Sequence, residues 1–454
     1  MTKQTDPSLY EPNGNDRTRQ TLLWATLVAL AVRLVVVGFT YQGFLDPGRD
    51  HWEFGYETGK IAYSIVTGHG FSNPYYWANT GPTAEIAPVL PYLLAALMAL
   101  FGIYTKTAAL AFLTLNSLFS ALTCVPIFLL AKKSFGVREA RWATWTWAFF
   151  PYAVYFSADS MWDHALTALL LTWLLLIALH LENSTRLWAW AGFGLLWGVS
   201  ALGNPVVLGT LPFLVGWVCY RLRRQRRKWR LPAAAAGLAV LITLAPWLVR
   251  NYRTFHGPVF LKDGFPLAFL DGNVGNALHW NDELQDPCGN AVEMAQFQRL
   301  GEHAYMTGKW REMFAFIKSN PGITLRRSVR RFVYIWTGYW SFRREYLREE
   351  PFDPANIVFC TAFTLLAIAG LRRAFRTTPD RAMPYALVLL VFPLVYYFTL
   401  PERGYRQPVE PEIVILASCA VVSWLRAREG SRTQPLLREV EMQQSLASKT
   451  GVSC

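Results

Sequence analysis

Charge is what this sequence has least of. Only 17% of its 454 residues are Asp, Glu, Lys or Arg, where an ordinary soluble protein carries about 25%. With 53% hydrophobic residues, that shortage excludes a soluble chain. Cysteine is sparse too, with six in all. Cys124, Cys219, Cys360 and Cys419 fall in apolar runs and Cys454 ends a polar tail, which leaves Cys288 alone in the largest loop. No disulfide framework is available there. The sequence has no P-loop, no glycine-rich nucleotide fingerprint and no HExxH spacing. ATP and nucleotide-sugar chemistry are therefore unsupported, and no metal is indicated.

Apolar runs are abundant instead. Stretches long enough to cross about 30 Å of hydrocarbon occupy residues 21–40, 107–131, 142–158, 163–181, 187–204, 205–220, 231–249, 354–371, 382–399 and 410–426. A further run at 86–104 contains Pro88 and Pro91 and ends in a polar turn. The mean hydropathy is only +0.19, so sizeable polar segments must separate the spans. The first apolar run follows about 20 polar residues with no small-residue cleavage pattern after it, and it reads as an uncleaved span.

Basic residues fix the orientation. With 86–104 lying along the membrane, Lys132/Lys133/Arg138/Arg141, the run at 221–230, Arg372/Arg373/Arg376/Arg381 and Arg426/Arg428/Arg432 all face the side of the N-terminus. Counting 86–104 as a span would send these clusters outside, against the positive-inside rule. The net charge of +13 thus reports topology, and no nucleic-acid partner is expected. The expected architecture is an all-α polytopic membrane protein with about ten transmembrane helices and both termini cytoplasmic. A cytoplasmic tail (1–20) and first span (21–40) lead to a first outer loop with juxtamembrane helices (41–106). Spans two to seven (107–249) precede an extracytoplasmic insert of roughly 100 residues (250–353). Spans eight to ten (354–426) and a cytoplasmic tail (427–454) complete the chain.

Acids and aromatics concentrate on the outer side, where chemistry is expected. Asp50, Glu53 and Glu57 are spaced three and four apart, and Lys60 extends that stripe by one turn. A carboxylate buried at the membrane interface there would provide a general base, although a solvated acidic face has the same spacing. In the short hairpin SADSMWDHAL, Asp159 and Asp163 lie at the lips of apolar runs. An ionised group there is expensive unless it has a partner or a task, and helix capping would also account for it. Arg250, Arg403 and Arg406 sit at outer ends of spans, and Arg33 inside the first. Cations outside suit anionic phosphate, or pairing with Glu402, Glu410 or lipid headgroups.

These stretches resemble a known family. FGYETGKIAYSIVTGHGFSNP at 54–74, GPTAEIAPVLPYLL at 81–94, the PYAVYFSADSMWDHALTALLL stretch, residues 246–273, RLGEHAYMTGKW at 299–310 and YRQPVEP at 405–411 are similar, in order, to the GT-C superfamily of membrane glycosyltransferases. The nearer branch is glycosyltransferase family 39, which includes protein O-mannosyltransferases and bacterial aminoarabinose transferases. The resemblance implies a GT-C-like fold with a catalytic acid in the first outer loop and a second acidic position in the next outer hairpin. The branch's usual Asp-Glu pair is not intact here. Glu57 is the first choice of base, with Asp50 and Glu53 following, and Asp163 fits the second position better than Asp159.

The implied reaction is inverting transfer of a sugar from a polyprenyl-phosphate donor, such as an undecaprenyl-phosphate sugar, to an acceptor hydroxyl on lipid, protein or glycan. Arg250, Arg406, Lys60 and Arg403 would hold the donor phosphate, without need of a metal cofactor, although relatives differ on this. The expected location is the cytoplasmic membrane, with the active site on its extracytoplasmic face. A flippase of lipid-linked saccharide and a GT-C-like polymerase or ligase of surface polysaccharide are the rival readings.

Overall fold

The computed structural model describes residues 14–41, 54–75, 79–274, 285, 287–338, 342–349, 353–400 and 402–449. Every expected span falls on helix. The first is α1 (Gly14–Thr40). In the first long loop follow α2 (Glu57–Val66) and α3 (Val89–Phe101), and the bundle then continues through α4 (Lys106–Leu122) and α5 (Cys124–Ser134). Next come α6 (Val137–Ala148), α7 (Pro151–Ala158), α8 (His164–Leu181), α9 (Leu187–Gly203), α10 (Leu211–Arg224) and α11 (Arg230–Phe255). The insert contains α12 (Phe265–Asn273), α13 (Ala291–Leu300), α14 (Glu302–Ser319), α15 (Pro321–Thr337) and α16 (Arg344–Glu349). The last helices are α17 (Asp353–Thr377), α18 (Pro379–Val391) and α19 (Glu410–Lys449). Among the described residues no β-strand forms, and one isolated bridge joins Ser72 to Pro82.

Seven helical segments among the described residues are long and apolar enough to cross a membrane. This is a membrane protein. The other three expected spans are helical but broken or short. Pro151 separates α6 from α7, α9 has 17 residues, and α18 passes into a 3-10 turn at Phe392–Tyr397. The run at 86–104 becomes α3, whose 13 residues reach only about 20 Å at 1.5 Å per residue. That is short of hydrocarbon about 30 Å thick. At the other end, helix continues past residue 427 to Lys449, through a segment rich in the helix formers Arg, Glu, Gln, Leu and Ala.

The break at Pro151 explains the cation in the first span. Proline has no N–H to donate and clashes with the preceding turn, so carbonyls ahead of it lose their helical partners. Arg33 is fully buried and adds donors there, alongside Phe150 N, which bonds Trp147 O at 3.2 Å. Its Nη1 donates to Ala148 O at 3.1 Å and to Ala29 O at 2.9 Å, its Nη2 to Trp147 O at 3.3 Å, and its Nε to Ser120 Oγ at 2.9 Å.

The described part of the first long loop is packed. On α3, Leu90, Leu94 and Met98 recur every fourth residue, with Pro91 and Ala95 beside them, to make one buried face. That face shares a core with Val37 of α1, Ala62 of α2, Phe112 of α4, Phe54, and Ala158 and Met161 of the next hairpin. The insert has cores of its own. In one of them Tyr75 of the first loop packs with Leu267, Phe297, Tyr305 and Met306. Lys309 is nearly enclosed and pairs with Glu293 at 2.8 Å and Glu312 at 2.9 Å.

Candidate active site

The hairpin between α7 and α8 is held from behind by side chains. The carbonyls ending α7 have no helical partners. Thr40 Oγ1 donates to Ala158 O at 2.7 Å, Ser117 Oγ to Ser157 O at 3.3 Å, and Asn116 Nδ2 to Phe156 O at 3.3 Å and Ser160 O at 3.0 Å. Thr40, Asn116 and Ser117 lie on α1 and α4, so two spans fix where the hairpin sits. Against it comes the start of the first outer loop. Phe54, Gly55 and Tyr56 all have positive φ, at 54°, 74° and 48°. Two of these are bulky L-residues, for which left-handed backbone is uncommon and costs energy. The run ends at Glu57, the first residue of α2. A side chain at Gly55 would put its Cβ 2.9 Å from Met161 O. Glu57 therefore begins its helix two residues from a backbone contact with the hairpin, and Asp163 follows that contact by two residues.

Asp163 precedes α8, yet its side chain caps no backbone N–H. Its Oδ2 instead accepts from Thr167 Oγ1 at 2.7 Å and from Asn204 Nδ2 at 2.8 Å. The capping explanation for this residue is thereby removed. The same Asn204 amide lies 3.3 Å from the Tyr396 hydroxyl. Tyr396 stacks on Tyr405 with ring centroids 4.0 Å apart, which brings the last outer loop into the group. His164 is buried and packs edge-on against Phe156, and its ring fills the place a Cβ would take at Gly404.

The candidate cations have mostly structural partners. Arg250 Nη1 donates to Thr83 O at 2.7 Å and Asn251 Oδ1 at 3.0 Å, and Nη2 donates to Phe71 O at 2.8 Å. Its guanidinium also lies 4.8 Å from the Trp247 ring centroid. Arg406 is fully enclosed. It pairs with Glu410 and donates to Ile335 O at 3.3 Å, Trp336 O at 2.8 Å and Thr364 Oγ1 at 2.9 Å. Both arginines thus have structural partners, and Arg406 is buried. Lys60 lies one turn after Glu57 on α2, with Nζ 5.9 Å from the Tyr104 ring centroid. Arg403 opens the 3-10 turn Arg403–Val409. Asp50 and Glu53 lie outside the described residues. Among the described residues, no three His, Cys, Asp or Glu side chains are arranged to hold a metal.

This arrangement of spans and outer loops matches solved proteins. AglB, the archaeal oligosaccharyltransferase of Archaeoglobus fulgidus, in complex with an inhibitory peptide and a dolichol-phosphate, superposes with a TM-score of 0.53 at 15% identity, covering 98% of this chain and 53% of that one. Its apo form gives 0.52 at 15% identity, over 93% and 52%. The fold is GT-C. ArnT of Cupriavidus metallidurans bound to undecaprenyl phosphate matches at a TM-score of 0.48 and 15% identity, over 98% of this chain and 67% of its own. The chain spans about half the length of the oligosaccharyltransferase chains it matches. In sequence, residues 85–249 match the family model of dolichyl-phosphate-mannose-protein mannosyltransferase. No protein of curated function matches the chain. The family match includes Asp163 and Asn204 and begins after Glu57.

Sequence reasoning missed a second buried acidic group, where the first loop meets the insert of this GT-C fold. The Glu302 carboxylate accepts from Ala84 N, and Asp263 N donates to Ala84 O at 3.1 Å. Burial pushes the Asp263 carboxyl up to about 6. Burial first, and then the charge of Asp263, push Glu302 well above the usual carboxylate range. Two bare carboxylates this close and this buried would repel, which favours a proton held between them. Both residues sit in the resembling stretches 246–273 and 299–310, but no local spacing links positions 39 residues apart.

Proposed function

We propose that the chain is an inverting glycosyltransferase that moves a sugar from a polyprenyl-phosphate donor to an acceptor hydroxyl on the extracytoplasmic face of the cytoplasmic membrane. The observation that carries this reading is the left-handed run at residues 54–56, which brings the start of α2, with Glu57, against the Asp163 hairpin. Strained backbone persists where surrounding structure over-determines it, and it clusters at active sites. Glu57 is the base in this reading. Its carboxylate takes the acceptor's hydroxyl proton as the acceptor oxygen bonds to sugar C1. The bond from C1 to the phosphate oxygen breaks on the opposite face, and its electron pair leaves with the polyprenyl phosphate. Such a leaving group is already a stabilised anion, so cations serve it better than a general acid. Lys60 and Arg403 are the cations this reading assigns to that task. Asp163 orients the reacting groups, and Asp50 and Glu53 are the alternative bases. AglB's complex with a dolichol-phosphate and the family model over residues 85–249 support a lipid-phosphate donor. The donors of Arg33, the charge a transport reading would use, go to Ser120 and backbone carbonyls.

The test uses purified full-length protein in nanodiscs with radiolabelled dolichyl-phosphate mannose and undecaprenyl-phosphate monosaccharides, supplied with cell-envelope fractions. Transfer is expected for at least one donor, with Glu57→Gln and Asp163→Asn abolishing it at unchanged folded yield. Movement of lipid-linked saccharide across liposomes without transfer would establish the flippase instead. Near-wild-type turnover in both variants would refute the catalytic assignment.

A further inference from the structure

Asn204 stands at the end of α9 and has two bonding ends. Its Oδ1 accepts from Val206 N at 3.0 Å and caps the 3-10 turn Pro205–Gly209. That bond dictates which end of the amide faces the other way, because a backbone N–H can be met only by the oxygen. The Nδ2 end then donates to Asp163 Oδ2 at 2.8 Å, with the Tyr396 hydroxyl at 3.3 Å. Both Asn204 and Tyr396 are buried. Tyr396 is held in turn by its stack on Tyr405. The result at Asp163 is asymmetric. Oδ2 takes two hydrogen bonds, from Thr167 and Asn204, while no hydrogen bond reaches Oδ1 from the described residues.

Such an arrangement fixes a carboxylate's plane and leaves one oxygen available. A carboxylate free to rotate presents its lone pairs over a wide arc, and a misplacement of about 1 Å can cost a hundredfold in rate. We propose that Asn204, backed by Tyr396, is a positioning residue for the sugar-transfer reaction, orienting Asp163 so that Oδ1 faces the reacting groups. The inference rests on the glycosyltransferase reading. It adds to it the second tier of the site, assembled from the end of α9 and the 3-10 turn at Phe392–Tyr397, 41 and 233 residues from Asp163 in sequence. Packing alone would require neither the amide donor nor its direction, since a hydrophobic side chain of similar size fills the same volume.

Two substitutions separate positioning from support of the turn. Asn204→Ser keeps an oxygen to cap Val206 N–H but removes the donor to Asp163. Asn204→Asp keeps the cap and the shape but sets a second carboxyl against Asp163, and it can donate only when protonated. Tyr396→Phe removes the hydroxyl alone. Full-length variants in nanodiscs are assayed with the polyprenyl-phosphate monosaccharide that gives the highest wild-type turnover in the test above. Size-exclusion profiles and thermal midpoints monitor folding. Asn204→Ser should lower kcat roughly 10- to 100-fold with the donor KM within about twofold, a split that general loosening of the fold would not produce. Asn204→Asp should be poorest at neutral pH and recover relative to Asn204→Ser as pH falls and the introduced carboxyl, once protonated, becomes a donor. Tyr396→Phe should show a smaller loss of the same kind. In an Asp163→Asn background, Asn204→Ser should have no further effect. Wild-type kcat and pH profile in both Asn204 variants, with Asp163→Asn inactive, would overturn the inference and leave the activity standing. A wild-type protein without transfer would overturn both.

Discussion

Replacing Gly55 by alanine probes the junction on which the proposed chemistry depends, and Gly68 provides its control. Both glycines have left-handed backbone, φ +74° at Gly55 and +85° at Gly68. Alanine at either position meets the left-handed penalty, about 1–2 kcal/mol. Their surroundings differ. Nothing lies within 4 Å of a Cβ built at Gly68, whereas at Gly55 the Cβ would sit 2.9 Å from Met161 O, with Met161 Cβ at 3.3 Å. Ordinary contact begins near 3.4 Å, so α2 and the hairpin must separate by about 0.5 Å or the backbone must strain further. Overpacking of this kind costs about 1–3 kcal/mol in addition. Gly68→Ala should therefore lose about 1–2 kcal/mol and keep full turnover. Gly55→Ala should lose about 2–5 kcal/mol and at least tenfold in turnover, because the shift lies between Glu57 and Asp163. Thermal midpoints in nanodiscs and initial rates at saturating donor are the measurements. Equal destabilisation in the two variants with wild-type rates in both would refute the claim that this contact sets the site's geometry.

Other expectations address charge, pH and topology. Arg33→Leu removes the donors to Ser120 Oγ and Ala148 O and one of the two to Trp147 O, which keeps Phe150 N, and should cost about 3 kcal/mol, with Arg33→Lys restoring only part of the thermal midpoint. The Asp263 carboxyl has a folded value near 6 against an unfolded 3.8. The folded state therefore binds the extra proton, and stability should fall as pH rises through that window, by at most about 3 kcal/mol from Asp263. Glu302→Gln keeps an acceptor for Ala84 N and supplies a permanent donor to Asp263. Its midpoint should decline less between pH 4 and 8 than the wild type's, and an equal decline would argue against a shared proton. In a background lacking Cys288, a cysteine at Gln225 should resist an impermeant thiol reagent in intact cells while one at Asn290 labels. Reversed labelling would invert the topology.

What was legible in the sequence was whatever the membrane imposes locally. Hydrocarbon demands about 20 apolar residues in a row, so the spans appear as composition. The insert, too, announced itself by its charged and aromatic texture. The Asp163 hairpin was found because a carboxylate at the lip of an apolar run is conspicuous. Its partners were not found. Thr167 lies four residues away, but Asn204 and Tyr396 come from distant elements whose own sequences carry no sign of the pairing. The run at 54–56 was hidden for another reason. Only Gly55 in it is a residue type that ordinarily marks left-handed backbone, and Phe54 and Tyr56 adopt that backbone under the packing of the loop on the hairpin.

The arginines show what a cation near a span can serve besides a ligand. A cation on the outer side looks as if it needs an anion, and phosphate is the obvious one. The structure gives these side chains a different demand to meet. Arg33 donates to Ala29, Trp147 and Ala148 carbonyls, Arg250 to Phe71 and Thr83, Arg327 to Asn273, Arg331 to Gly272 and Tyr397, and Arg406 to Ile335 and Trp336. Nearly all of these acceptors lie at a helix end, a helix break or a loop, where the main chain has no helical partner. At or near membrane depth little water is available to replace it. A guanidinium with five donors in a fixed fork can bind two or three such carbonyls at once. Irregular backbone near a bilayer thus creates its own requirement for arginine, independent of any ligand. It follows that arginines already committed to carbonyls, Arg250 and Arg406, should contribute least to holding a donor phosphate. Replacing Lys60 or Arg403 by methionine should raise the donor KM more than Arg250→Met or Arg406→Met does at equal folded yield. The opposite ranking would return the phosphate to the arginines of the spans.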